Sequence, residues 1–176
     1  QKILECESLD ELEGILADCA TELLRIAGGE GGKDDIRNVL RGEDFTGDPV
    51  AELRASVAAA RGERPWTPAL AVALAFRDTY DAVIDRASYG GRHTLGGKDF
   101  DAFVSTLERV GFGPPVESAQ IMLELLDEGR IRTELVARGE EDLRDLAEEI
   151  GATVIIDAVQ APPGIVEGTL VGNLVE

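Results

Sequence analysis

Residues 68–87 read PALAVALAFRDTYDAVIDRA. Leu70, Leu74, Phe76, Tyr80, Val83 and Ile84 recur there every three or four positions, the spacing that gathers apolar side chains on one side of an α-helix. Thr67 stands at the N-cap position, and Pro68 at the first helical position, where a missing N–H costs nothing. The alanines between the larger residues let a neighbouring helix come close. A segment this long and apolar predicts the central helix of a mainly α fold.

The same grammar runs outward in both directions. On the N-terminal side, Ser8 and Glu11 form a capping box ahead of Leu9, Leu12, Ile15, Cys19, Leu23 and Ile26, and Gly28 ends that helix. Cys19 is thereby expected on the apolar stripe as a buried small hydrophobe, and Cys6, near the start, is expected to be exposed. A short helix runs through Ile36 to Leu40. Asp48 then caps a helix with Pro49 at its first position and Val50, Leu53 and Val57 turned inward, ending at Gly62. On the C-terminal side, Asp99 caps a helix with Phe100, Phe103, Val104, Leu107 and Val110 inward, closed by Gly111. Gly113-Pro114-Pro115 opens another helix through Met122, Leu123 and Leu126 to Gly129.

After Gly129 the pattern changes. IRTELVA (131–137) alternates as a strand, GEEDLRDLAEEIG (139–151) is a helix with Leu143, Leu146 and Ile150 on one side, and ATVIIDAV (152–159) is a short β-branched run. Strand, helix, strand is the order of a parallel pair with a crossover, which needs further strands or helix cover to be stable. The expected organisation is a helical domain of about six helices over residues 1–129, followed at 130–176 by a small strand-helix-strand (α+β) element.

Thirty-five acidic against 17 basic side chains leave a formal charge of −18. A charge of that sign and size repels phosphate backbones and anionic membrane faces, so neither nucleic acid nor membrane is expected as a partner. No apolar run approaches the ~20 residues of a membrane span, and QKILECESLDELEG lacks the layout of a signal peptide, so the cytoplasm is the expected compartment. Cys6 and Cys19 have no His or Cys at metal-ligand spacing, which predicts no zinc site and no disulfide framework. A first residue of Gln rather than Met suggests a piece of a longer protein.

Several motifs invite chemistry. GGEGGKDD (28–35) is glycine-rich, but Ala27 stands where a phosphate loop needs its first Gly and Asp34 follows Lys33, so it reads as a flexible connector. His93 is the lone histidine and would have to carry any imidazole acid-base step. Arg77 and Arg92 could fork onto a carboxylate or phosphate, and Tyr89-Gly90-Gly91 could let backbone approach a ligand. The bland reading of the last is a helix C-cap followed by a turn. Asp78, Asp81 and Asp85 share a helix face with the spacing of a cation site, and equally that of a solvated acidic surface, which is favoured. Asp157, ahead of Ala161-Pro162-Pro163-Gly164, sits at a strand's carboxyl end, where open α/β sheets bind nucleotides and where ordinary turns also occur.

Four stretches carry a family likeness: DPVAELRASVAAARGERPWTPALAVALAFRDTYDAV, ASYGGRHTL, ERVGFGPPVESAQIMLELLDEGRIR, and TVIIDAVQAPPG with LVGNLVE after it. From about Asp48 onward the chain resembles the middle and C-terminal parts of a family of large actinobacterial FAD/NAD(P)-binding, flavoprotein-like proteins. The resemblance implies a helical segment inserted between parts of a nucleotide-binding fold whose Gly-rich fingerprint lies further toward the N-terminus. The chain departs from that pattern in having no Gly-x-Gly-x-x-Gly after a strand, so it is not expected to hold FAD alone. Residues 1–129 would then be an accessory, substrate-side domain, and 130–176 a remnant of the nucleotide-binding fold.

Three functions follow as expectations. The first is a non-catalytic helical domain that covers the FAD (or NAD(P)) pocket of a parent oxidoreductase, with Arg77, Tyr89, Gly90, Gly91, Arg92 and His93 as pocket contacts and the rest of the flavoprotein chain as partner. The second is a stand-alone acidic interaction module that docks a basic protein at the apolar stripe near Leu123 and Leu126. The third is a small enzyme using His93. No metal is expected, and a homodimer is left open.

Overall fold

The computed structural model describes residues 2–44, 48–131, 148, 149 and 151. The chain divides into two units, Gln1–Ile131 and Arg132–Glu176, and the first is the one described below. Among the described residues there are eight helices and no strand: α1 (Lys2–Glu5), α2 (Leu9–Ile26), α3 (Lys33–Arg41), α4 (Pro49–Ala60), α5 (Pro68–Ala87), α6 (Gly91–Thr94), α7 (Lys98–Gly111) and α8 (Val116–Asp127). The unit is mainly α, as the apolar periodicity predicts. The strands expected at 131–137 and 152–159 lie, apart from Ile131, outside the described residues, as does Asp157.

α5 is the hub. It packs against α1, α2, α3, α4, α6 and α7, and no pair of helices meets more extensively than α2 and α5. Thr67 Oγ1 accepts from Leu70 N at 3.3 Å and Pro68 follows it, so the helix begins where the capping chemistry places it. Its deepest residues are Ala71, Val72, Ala75, Phe76 and Val83. Leu70, Leu74 and Tyr80 are half-buried, and Ile84 is exposed. The expected stripe of large residues is thus turned toward its alanines. The small side chains let α2 come close enough to bury its own Ala17 and Ala20 completely.

That close packing also corrects the reading of both cysteines. The buried row of α2 is Leu12, Leu16, Ala17, Ala20 and Leu24. Cys19 lies about 100° around the helix from the centre of that row, and it is exposed, as is Ile26. Cys6 is instead 1% exposed. The short α1 folds against α5, and Arg86 Nε donates to Cys6 O at 2.7 Å, fixing the chain so that Ile3 and Cys6 join the core. Nothing in the local pattern of QKILECE announces that tertiary contact.

Two helix boundaries and one connector also differ from expectation. α7 starts at Lys98 after Gly97, whose φ of 60° suits a glycine, so Asp99 lies in the first turn instead of at the cap. There it still favours the positive end of the helix dipole. Pro115 occupies the N-cap of α8, and the helix proper opens at Val116. The glycine-rich 28–32 connector is tightly seated: a Cβ on Gly29 would lie 2.7 Å from Trp66 O, and Glu30 N donates to that same oxygen at 3.1 Å. Gly29 and Gly31, the latter with Pro68 2.8 Å from a would-be Cβ, serve close approach here.

α7 buries Phe100, Phe103 and Leu107 against the hub, and its Gly111 sits so close to Phe76 that a Cβ would be 2.9 Å from the ring. Phe76, Tyr80 and Phe112 meet edge to face in three pairs with centroids 5.5, 5.8 and 5.1 Å apart, a favourable quadrupole arrangement. α4 and α8 pack mainly on each other, burying Ala59, Ala119 and Leu123, with Arg54 on Asp127 at 2.7 Å.

Candidate functional site

Of the expected pocket contacts, Tyr89 to His93 share one turn and Arg77 does not join them. Arg77 is exposed in the middle of α5, roughly 18 Å along the helix axis from Tyr89. Tyr89 holds φ 52° with its ring fully solvent-exposed. Gly90 follows at φ 94° and starts α6, a single turn that carries Arg92 and His93. Arg92 is engaged by Asp101, while His93 is exposed. Gly91 is a packing glycine, since a Cβ there would lie 1.8 Å from Arg86 O.

Nor do these residues fit a dinucleotide. Gripping a pyrophosphate takes free backbone N–H groups aimed at one point. Gly91 N already donates to Ser88 O at 3.0 Å, His93 N to Gly90 O at 3.1 Å and Leu95 N to Gly91 O at 3.0 Å. In the other glycine-rich stretch, Gly28 N donates to Arg25 O, Gly29 N to Leu24 O and Gly32 N to Asp35 Oδ2. The donors named are spent internally, and in the second stretch the Asp35 carboxylate already takes the Gly32 N–H that a phosphate would need.

Asp78, Asp81 and Asp85 are all exposed, in keeping with a solvated face. Among the described residues no group of three or more His, Cys, Asp or Glu side chains is arranged to hold a metal ion, and no helix is long and apolar enough to cross a membrane.

The α2/α5 seam brings together residues that lie far apart in sequence. On one flank of this seam a shallow open groove of about 420 Å³ has a mostly apolar floor made by Cys19, Leu23 and Ala75. Thr79 adds its methyl, because its hydroxyl is turned back to donate to Ala75 O at 2.7 Å. Asp18 and Glu22 stand on the α2 rim and Asp78 on the α5 rim. Lys33 reaches Asp18 at 2.5 Å and Arg25 reaches Glu22 at 2.6 Å. These hydrogen-bonded cations hold both carboxyls below their ordinary range. The groove exists because the side chains at its centre, Cys19 and Ala75, are small where two helices meet.

A second cleft, between α3 and the start of α5, is lined in part by Asn38, Asp44 and Thr67. Asp44 Oδ1 is buried there without a hydrogen-bond partner among the described residues. Burial pushes the Asp44 carboxyl up, helped by Glu52 and opposed by its own backbone N–H and Arg109.

The apolar stripe expected as a docking face on α8 is also redistributed. Leu123 is buried and Leu126 half-buried, while Ile121 and Met122 face solvent. Fold and groove together define an acidic helical bundle with an apolar, carboxylate-rimmed seam. No family model matches the chain, and neither a curated protein nor a solved structure does.

The groove residues went unnoticed in the sequence because its two walls are 50 or more positions apart. Its local signals are Cys19, whose spacing puts it on the apolar stripe, and Asp78, whose spacing is that of a solvated acidic face.

Proposed function

We propose that this protein is an acidic helical docking module that binds a basic protein partner. The observation that carries this reading is the charge balance: over the whole chain acidic side chains outnumber basic ones 35 to 17, and among the described residues Arg25, Lys33, Arg41, Arg54, Arg61 and Arg92 are already tied to carboxylates. The surplus carboxylates give the surface a negative field that steers a basic protein toward it and repels acidic ones. Light scattering of mixtures with a panel of basic helical proteins tests this. A salt-sensitive complex with at least one of them supports it; a chain that stays free across the panel at low salt overturns it.

A second reading is favoured by Tyr89. A tyrosine held at positive φ with its whole ring in water is an unusual expense for a fold to carry unless something covers it. On this reading the 89–93 edge covers the cofactor pocket of a larger FAD/NAD(P)-binding protein, which itself holds the flavin. Expression from a gene extended upstream of Gln1 separates the two: a yellow product whose flavin fluorescence changes with Tyr89→Ala supports it, and a colourless product overturns it.

A further inference from the structure

We propose that the α2/α5 groove is the docking site itself, and that its occupant is a cationic amphipathic helix of the partner protein, laid with its apolar ridge on Cys19, Leu23 and Ala75. This rests on the docking-module reading and adds where the partner binds and what chemistry it presents.

Shape argues for a helix. The groove is shallow and open to solvent, so it does not enclose a small molecule, which sites for such ligands do by burying most of the ligand surface. It can instead receive the side-chain ridge of an added helix, as the surface grooves of packed helices do. Charge argues for a cationic one. Asp18 and Glu22 are one turn apart on α2, roughly 6 Å along its axis, and Asp78 faces them from α5. Carboxylates therefore flank the apolar floor on both sides. A helix with apolar residues along one face and Lys or Arg at i,i+4 beside it places a cation opposite Asp18 and Glu22 and another toward Asp78.

The cations already present do not block this. Lys33 and Asp18 keep 44% and 70% of their side-chain surface in water, and Arg25 and Glu22 keep 69% and 56%. Ion pairs so exposed contribute little and exchange readily for a partner's cations. Among the described residues Asp78 makes no ion pair. An acidic amphipathic helix would meet Asp78 on one rim and would have to compete with Asp18 and Glu22 for Lys33 and Arg25 on the other, so it is disfavoured.

The groove carries its own reporter. Cys19 lies in its floor and is exposed, whereas Cys6, the other cysteine of the chain, is buried. The experiment alkylates the full chain with iodoacetamide in the presence of a synthetic leucine/lysine amphipathic helix. A serine/lysine peptide of equal charge and a leucine/glutamate helix serve as controls. The expected result is a tenfold or greater slowing of Cys19 alkylation by the leucine/lysine helix only. Its affinity should fall about tenfold in the double reversal Glu22→Lys, Asp78→Lys, two exposed positions whose folding is checked by circular dichroism. A peptide that merely gathers near the acidic surface brings positive charge toward the thiol and speeds its reaction. Binding without protection of Cys19, or binding indifferent to the reversal, overturns the groove assignment and leaves the docking module standing. Failure of every basic peptide to bind at low salt overturns both.

Discussion

The opposite fates of the two cysteines give the sharpest test of the fold. Cys19 is exposed and open to iodoacetamide. Cys6 can react only after α1 lifts from α5, because it is 1% exposed. That opening breaks the Arg86 Nε to Cys6 O hydrogen bond of 2.7 Å, worth about 1.5–3 kcal/mol for a charged donor. It also exposes Ile3, worth about 1.5–3 kcal/mol for a buried aliphatic side chain. Together these give an opening free energy of about 3–6 kcal/mol, so Cys6 should alkylate some 10²–10⁴ times more slowly than Cys19. Burial also pushes the Cys6 thiol up, against the pull of Arg86, which slows it further. Quenched time courses read by peptide mass spectrometry give both rates in one sample. Arg86→Met should speed Cys6 by roughly tenfold or more and leave Cys19 unchanged. Equal rates, or a faster Cys6, would refute the reasoning and restore the reading in which Cys19 belongs to the core stripe.

Other consequences can be checked by denaturation. Gly91→Ala should cost about 1–3 kcal/mol or more, because its Cβ would meet Arg86 O at 1.8 Å, and a cost no larger than that of Gly113→Ala, whose site is open and needs no positive φ, contradicts the packing. Tyr89→Gly should leave stability unchanged or raise it by up to about 1 kcal/mol, since it relieves a positive φ and removes no buried surface; a clear loss means the ring makes a contact within the fold. His93→Ala should stay within about 0.5 kcal/mol of the parent, His93 being exposed, and any larger loss refutes its placement. For Asp44 the folded carboxyl titrates above its unfolded value of 3.8, so the folded state binds more protons and this group's contribution to stability declines as pH rises from about that value through the folded one. Asp44→Asn should therefore gain stability over the parent as pH climbs from 4 to 7 in urea titrations, and a constant difference would show that Asp44 is not the group responsible.

Much of the helical framework is legible locally. Ser8 accepts from Glu11 N, Asp48 from Val50 N and Ala51 N, and Thr67 from Leu70 N, each where the capping pattern puts it. What escapes a local reading is the angle at which each helix faces its neighbour. On α2 the deep face keeps Leu12 but is completed by Leu16, Ala17, Ala20 and Leu24 in place of Ile15, Cys19, Leu23 and Ile26, because small side chains let α5 approach. That rotation of α2 exposes Cys19 and opens the groove, while Cys6 is buried separately, by α1 docking on α5. The short α1 and α6 escaped because four residues cannot display a period. The candidate site was the least legible part, since Cys19 and Ala75 meet only through tertiary packing and neither residue type signals function by itself.

Amide chemical-shift mapping of the full chain with the leucine/lysine helix tests the central claim most directly. Docking in the seam predicts that shifts concentrate at Asp18, Cys19, Glu22, Leu23, Ala75, Asp78 and Thr79 and weaken as salt is raised, with Ile121 and Met122 unmoved. Shifts spread evenly over the acidic surface, or centred on α8, would contradict it.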